Sequence, residues 1–170
     1  MTQETILILG GARSGKSAFA ENLVLKSGLK PIYLATGRAN DDEMVSRVEL
    51  HQERRGDVWQ TVEEPLALVD ALAHAAIPGR MILVDCLTLW ITNLMMAEAL
   101  VDREVRNLVR YLEDPKAPIV LVSNEVGQGI IPDNKMAREF VDLSGKAHQE
   151  IANVCTNAYF VTAGLPQKLK

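Results

Sequence analysis

The sequence predicts an α/β fold in which a mostly parallel sheet is flanked by helices. Three observations carry that prediction. Short apolar runs recur at residues 5–9, 31–35, 81–84, 119–122 and 158–161, as expected of strands buried on both faces. Stretches with helical spacing lie between them, and strands alternating with helices imply parallel pairing. The first apolar run also feeds a glycine-rich loop that opens onto a helical stretch. In such folds ligands bind beyond the carboxyl ends of the strands, so each strand end is read for chemistry.

The first strand runs into Gly10-Gly11-Ala12-Arg13-Ser14-Gly15-Lys16-Ser17. This fits G-x-x-x-x-G-K-[ST], the loop that wraps nucleotide phosphates. Residues 18–27 read as the helix that must follow, and Gly28 suits its C-terminal stop. The fold class thereby narrows to a P-loop NTPase-like, RecA-like three-layer sandwich. The glycines let the backbone turn successive N–H groups toward a polyphosphate, and the helix start adds its unpaired N–H groups and dipole. Lys16 supplies a point charge for the outer phosphates, and the Ser17 hydroxyl is the expected Mg²⁺ ligand.

The 170 residues suffice for a single domain over 1–170 with a real core. A net charge of -4 argues against a general nucleic-acid or membrane-surface binder, which calls for a basic balance. Cys86 and Cys155 are far apart and form neither a zinc motif nor a disulfide framework. The longest apolar region, 87–100, is interrupted by polar residues and too short to span a bilayer. No signal peptide is read at the start, so the cytoplasm is the expected compartment.

The second strand, 31–35, leads into Thr36-Gly37-Arg38 and then Asn40-Asp41-Asp42-Glu43-Met44. Asn40 with Glu43 three residues on predicts a helix start. Met44, Val48 and His51 then share one face, with Arg47 and Arg55 one turn either side of His51 and Arg54 three residues on. A histidine ringed by arginines suits an anionic phosphate, and the arginines favour its neutral, nucleophilic form. A solvated basic helix face near an ordinary surface histidine fits the same spacing. Residues 58–62 read as a small hairpin or an edge strand, followed by Glu63 and Glu64.

The third strand, 81–84, ends in Asp85. An apolar strand ending in Asp is the pattern that holds Mg²⁺ directly or through water in P-loop enzymes. Capping of a helix starting near Leu87 is the competing role. Val101, Val105, Leu108, Val109 and Leu112 recur at helical spacing. The fourth strand, 119–122, precedes a shaped loop, Ser123-Asn124-Glu125-Val126-Gly127-Gln128-Gly129-Ile130-Ile131-Pro132. Phe140, Ala147, Ile151 and Val154 suggest a last helix, which Gly145 weakens. His74 and His148 show no convergent partners and read as surface or boundary residues.

Taken together these pieces resemble one family, the bifunctional adenosylcobinamide kinase / adenosylcobinamide-phosphate guanylyltransferases of cobalamin biosynthesis. The resemblance rests on Gly10 to Ser17, on Tyr33-Leu34-Ala35-Thr36, and on Asp41-Asp42-Glu43-Met44 with Arg47, His51, Arg54 and Arg55. It continues through Val84-Asp85-Cys86-Leu87-Thr88, Thr92-Asn93-Leu94 and the loop 123–132. The P-loop is shared by countless enzymes, whereas the 41–55 segment with the 123–132 loop is far more specific. Gly56-Asp57 departs from the proline and small residue common in relatives, a minor difference.

The resemblance implies phosphorylation of adenosylcobinamide with ATP or GTP, then transfer of GMP from GTP to adenosylcobinamide phosphate. The second step uses a guanylyl-histidine, by motif position His51, with Lys16 the other catalytic residue. It places nucleotide contacts on the P-loop (Gly10, Gly11, Ala12, Arg13, Ser14, Gly15, Lys16, Ser17), Thr36, Gly37, Arg38, Gln52, Glu53, Arg54, Arg55, Glu63 and Asp85. Ser17 and Asp85 are the expected Mg²⁺ ligands. A homo-oligomer is implied, with a trimer as the form considered. Two rivals stand beside this reading. One is a plain P-loop kinase of a small metabolite. The other is a non-catalytic GTP switch, against which Asn134-Lys135-Met136-Ala137 lacks the Asp of a guanine-reading motif.

Overall fold

The computed structural model describes residues 3–37 and 56–170. The chain alternates strand and helix: β1 (Thr5–Gly10), α1 (Lys16–Lys26), β2 (Lys30–Ala35), a 3₁₀ turn (Gly56–Val58), β3 (Gln60–Glu63), α2 (Leu68–Ala75), β4 (Arg80–Asp85), α3 (Leu87–Met96), α4 (Val101–Leu112), β5 (Ile119–Asn124), α5 (Lys135–Val154), β6 (Asn157–Thr162) and β7 (Leu165–Lys168). The strands form one sheet in the order β3-β2-β4-β5-β1-β6-β7. All neighbours pair in parallel except β6 and β7, which are antiparallel.

Side chains along each central strand alternate between two cores. Leu7, Ile32, Leu34, Ile82, Val84, Ile119 and Leu121 face the larger one, with Leu72, Trp90, Leu108 and Ile151 from α2, α3, α4 and α5. Ile6, Ile8, Tyr33, Leu83, Val120 and Val122 face the other, against Ala20 and Val24 of α1. That is the three-layer α/β/α arrangement expected from the sequence. Each fully buried Leu or Ile contributes about 1.5–3 kcal/mol relative to leaving it exposed. The heaviest buried side chain, Trp90, also satisfies its indole N–H by donating to the Leu66 carbonyl at 2.9 Å.

The structure resolves two of the open readings. Residues 60–63 are an edge strand and no hairpin, because β3 runs parallel to β2 from Ile32 opposite Gln60 to Ala35 opposite Glu63. Gly145 does not interrupt α5, which runs continuously for 20 residues from an Asn134 cap whose Oδ1 accepts from the Ala137 N–H at 2.8 Å. Two elements were not anticipated, α2 and β7. The helix predicted from Asn40, with His51 and its arginines, lies outside the described residues.

Strand register positions the site. Gly10 pairs with Asn124, and Ala35 with Asp85. The residues that follow β1, β2, β4 and β5 therefore emerge together at the carboxyl edge of the sheet, where an open parallel sheet binds ligands.

Candidate active site

The loop between β1 and α1 has the geometry its sequence demands. Gly15 sits at the helix start with φ +94°, a left-handed conformation that an L side chain rarely adopts. A Cβ there would also lie 2.9 Å from the Gly164 Cα. The Gly164 N–H donates to the Ser14 carbonyl at 2.7 Å, so the turn between β6 and β7 braces the loop from outside. Lys16 begins α1 and is buried. Its Nζ folds back to donate to the Gly11 carbonyl at 2.9 Å, so its charge hangs over the loop. Burial lowers its pKa, and the Asp85 carboxylate opposes that shift.

Ser17, next along α1, donates its hydroxyl to Asp85 Oδ2 at 3.1 Å. Asp85 therefore does not cap α3. The position before α3 is Cys86, which makes no side-chain cap. A hydroxyl and a carboxylate brought together at the mouth of a phosphate loop are hard oxygen donors of the kind Mg²⁺ takes. Ser14 Oγ is buried in the loop with no hydrogen-bond partner among the described residues. Ala12 and Arg13 are exposed at its tip. The structure thus brings Lys16, Ser17 and Asp85 together at the root of the loop.

Thr36 is fully buried beneath this edge. Its Oγ1 donates to the Cys86 carbonyl at 2.7 Å and accepts from the Cys86 N–H at 2.9 Å. Its carbonyl accepts from Asn93 Nδ2 at 2.7 Å, and the same amide nitrogen donates to the Pro65 carbonyl at 3.1 Å. Thr36 and Asn93 thereby lock the ends of β2 and β4 to α3 and leave Gly37 as the point where the chain emerges. Glu63 is exposed at the carboxyl end of β3. Its neighbour Glu64 is committed to the turn before α2, accepting from the Leu66 and Ala67 N–H groups at 2.9 and 2.8 Å. Arg38, His51, Gln52, Glu53, Arg54 and Arg55 lie outside the described residues.

The cysteines take no part as nucleophiles. Burial and the nearby Asp85 push the Cys86 thiol up to about 11, and burial pushes Cys155 up to about 11. Both stay protonated at neutral pH.

A polar cluster that was not anticipated lies beside the loop. His148 is a buried residue and not a surface one. It sits on the inward stripe of α5 with Ser144 and Ile151, a period the sequence carries. Its Nε2 is 2.7 Å from Ser123 Oγ, which in turn is 3.1 Å from Thr88 Oγ1. Thr88 Oγ1 accepts from the Asn124 N–H at 2.7 Å. His148 Nδ1 faces Glu125 Oε2 at 3.9 Å. Burial lowers the His148 pKa, partly opposed by the Glu125 carboxylate, so the imidazole is neutral at pH 7. Beyond Glu125 the loop leaves Ile130 and Ile131 exposed.

A model of the family described as cobinamide kinase / cobinamide phosphate guanyltransferase matches residues 6–169. The chain is similar to the bifunctional adenosylcobalamin biosynthesis protein CobP of Pseudomonas aeruginosa, 48% identical with 96% of each chain covered. It is also similar to the bifunctional adenosylcobalamin biosynthesis protein CobU of Escherichia coli strain K12, 37% identical over 97% of this chain and 99% of that one. Among solved structures, a protein from Pyrococcus horikoshii studied as PH0250 superposes with a TM-score of 0.58 at 12% identity, covering 98% of this chain and 86% of that one. The flagellar accessory protein FlaH of Methanocaldococcus jannaschii gives 0.53 at 15% identity, covering 98% and 78%. These distant likenesses establish the fold. The family match and the two relatives establish more: this chain belongs to the cobinamide kinase / cobinamide phosphate guanyltransferase family.

Proposed function

We propose that this protein carries out both reactions of its family in adenosylcobalamin biosynthesis. It phosphorylates adenosylcobinamide with ATP or GTP, then transfers GMP from GTP to adenosylcobinamide phosphate through a guanylyl-histidine on His51. The observation that carries the phosphoryl-transfer half is the meeting of Ser17 and Asp85 at 3.1 Å beside a phosphate loop whose lysine is in place. Loop N–H groups and Lys16 cradle the β- and γ-phosphates and stabilise charge as it builds on the leaving group. Ser17 and Asp85 would hold Mg²⁺, which supplies further charge neutralisation on the phosphate oxygens.

The guanylyl-transfer half rests on the resemblance at residues 41–55. Attack of a neutral imidazole on the α-phosphorus forms a P–N bond and breaks the bond to the β-phosphate oxygen, releasing pyrophosphate. One difficult transfer is thereby split into two easier ones. Gly37, Arg38, Gln52, Glu53, Arg54, Arg55 and Glu63 are the further nucleotide contacts this reading implies, and a homo-oligomer belongs to it as well.

Incubation with α-labelled GTP and Mg²⁺ tests it. The expected result is an acid-labile, base-stable label on the peptide containing His51, absent from His51→Ala, with kinase turnover largely kept. An unlabelled but fully active kinase would favour the plain-kinase reading. Equal loss of both activities in a folded His51→Ala protein would remove that histidine from its role.

A further inference from the structure

Phosphorylating a hydroxyl requires a group to take its proton, and nothing in the residues assigned so far does so. The sheet order narrows the choice. β5 lies between β1, which carries the phosphate loop, and β4, which carries Asp85. Adjacent strands are about 4.8 Å apart. Glu125 is the first residue beyond β5, and its N–H donates to the Gly10 carbonyl at 3.0 Å, at the root of the loop. Asp85 is engaged with Ser17, and Glu64 with the turn before α2. Glu63 stands on β3, the far edge strand, three strands from β5. Among the described carboxylates at this edge, Glu125 adjoins the root of the loop and is neither the expected Mg²⁺ ligand nor part of the turn before α2.

Its surroundings hold it in place without using it up. Oε1 accepts from the Gly127 N–H at 2.6 Å. Oε2 makes no hydrogen bond among the described residues, and its side chain is 21% exposed. Thr88 Oγ1 accepts from the Asn124 N–H and lies 3.1 Å from Ser123 Oγ, which lies 2.7 Å from His148 Nε2. In the neutral tautomer with its proton on Nδ1, His148 accepts from Ser123 at Nε2 and turns its N–H toward Glu125 Oε2, 3.9 Å away.

We propose that Glu125 is the general base of the kinase step and that His148, oriented through Ser123 and Thr88, is the positioning residue behind it. The substrate hydroxyl gives its proton to Glu125 Oε2 as its oxygen bonds to the γ-phosphorus. The bond from that phosphorus to the β-phosphate oxygen breaks, and the nucleoside diphosphate leaves with the electron pair. The inference rests on the kinase half of the function given above and is independent of His51.

The test uses the purified full chain with ATP, Mg²⁺ and adenosylcobinamide. Glu125→Gln keeps an oxygen for the Gly127 N–H and loses the base. Its kcat should fall about 100-fold or more, with KM for both substrates and the affinity for ATP within about threefold of wild type. His148→Gln keeps an acceptor for Ser123 and loses the donor toward Glu125. It should lower kcat about tenfold at unchanged KM, and the double variant should be no slower than Glu125→Gln alone. Additive losses would make His148 merely structural and overturn its part. A Glu125→Gln protein with kcat within tenfold of wild type, or one that loses ATP affinity in parallel, overturns the proposal. If that variant does not fold, Glu125→Asp decides: an unchanged kcat overturns the base, and a loss of about tenfold at unchanged KM supports it. No turnover by wild type would overturn the kinase reading and this inference together.

Discussion

The Ser17 hydroxyl and Asp85 Oδ2 meet at 3.1 Å, joining the first turn of α1 to the last residue of β4. A helix start and a strand end from separate parts of the chain thus converge on one point beside Lys16. Each group is worth little to stability there, since a single hydrogen bond contributes about 1 kcal/mol net. Their value is chemical.

Asp85→Asn should therefore cost activity and spare the fold. Phosphoryl transfer should fall about 100- to 1,000-fold, and unfolding free energy should change by about 1 kcal/mol or less. Chelation of Mg²⁺ with EDTA should reduce wild type to a similar level and change the variant little further. A steady-state assay with a urea titration reads both.

Lys16→Met should abolish transfer without loosening the protein. The ammonium is buried, and burial lowers its pKa, which marks the charged form as disfavoured where it sits. Nucleotide supplies the compensating charge. The free variant should melt at or above the wild-type temperature, while the stabilisation by added ATP disappears.

His148 should make stability fall on mild acidification. Its pKa is lowered in the folded state by burial, so the unfolded chain binds the proton more readily. The contribution is fully present above about 6.5, the ordinary histidine value, and is lost as pH falls from there through the folded pKa. Urea titrations between pH 7.5 and about 5 should show this slope in wild type and a shallower one in His148→Gln.

Asn93→Ala should be among the most destabilising polar substitutions. It removes one amide that serves two carbonyls, those of Thr36 and Pro65, in a buried setting. Leaving buried acceptors unpaired costs about 1–3 kcal/mol each. A drop of about 2–4 kcal/mol in urea is expected, together with weakened nucleotide binding because β2 delivers Gly37 to the site.

What the sequence made legible was whatever is written locally. The phosphate loop is one contiguous pattern, and Asp85 follows an unbroken apolar strand, so both could be read before any fold was known. β7 could not, since Leu165-Pro166-Gln167-Lys168 is exposed throughout and carries a proline that suits an edge strand. β3 was ambiguous for a related reason, because a polar edge strand lacks the apolar run that marks a central one. α2 has no side-chain cap to announce it. His148 was misjudged because its partners, Ser123 and Glu125, come from β5 and the loop beyond it. Only the packing of α5 against the sheet brings them together.

The bracing of Ser14 and Gly15 by Gly164 has a kinetic consequence. Every strand-to-helix step up to α5 can form from residues near one another in sequence, but the phosphate loop takes its final outline only when the β6–β7 turn arrives from the opposite end of the chain. Contacts of such long sequence separation are slow to close. During synthesis the phosphate loop emerges well before that turn, and it becomes competent only after the turn has joined it. A destabilised turn, as in Gly164→Val, which forces a branched side chain into φ +78°, should delay the recovery of nucleotide binding after refolding more than the recovery of helical signal.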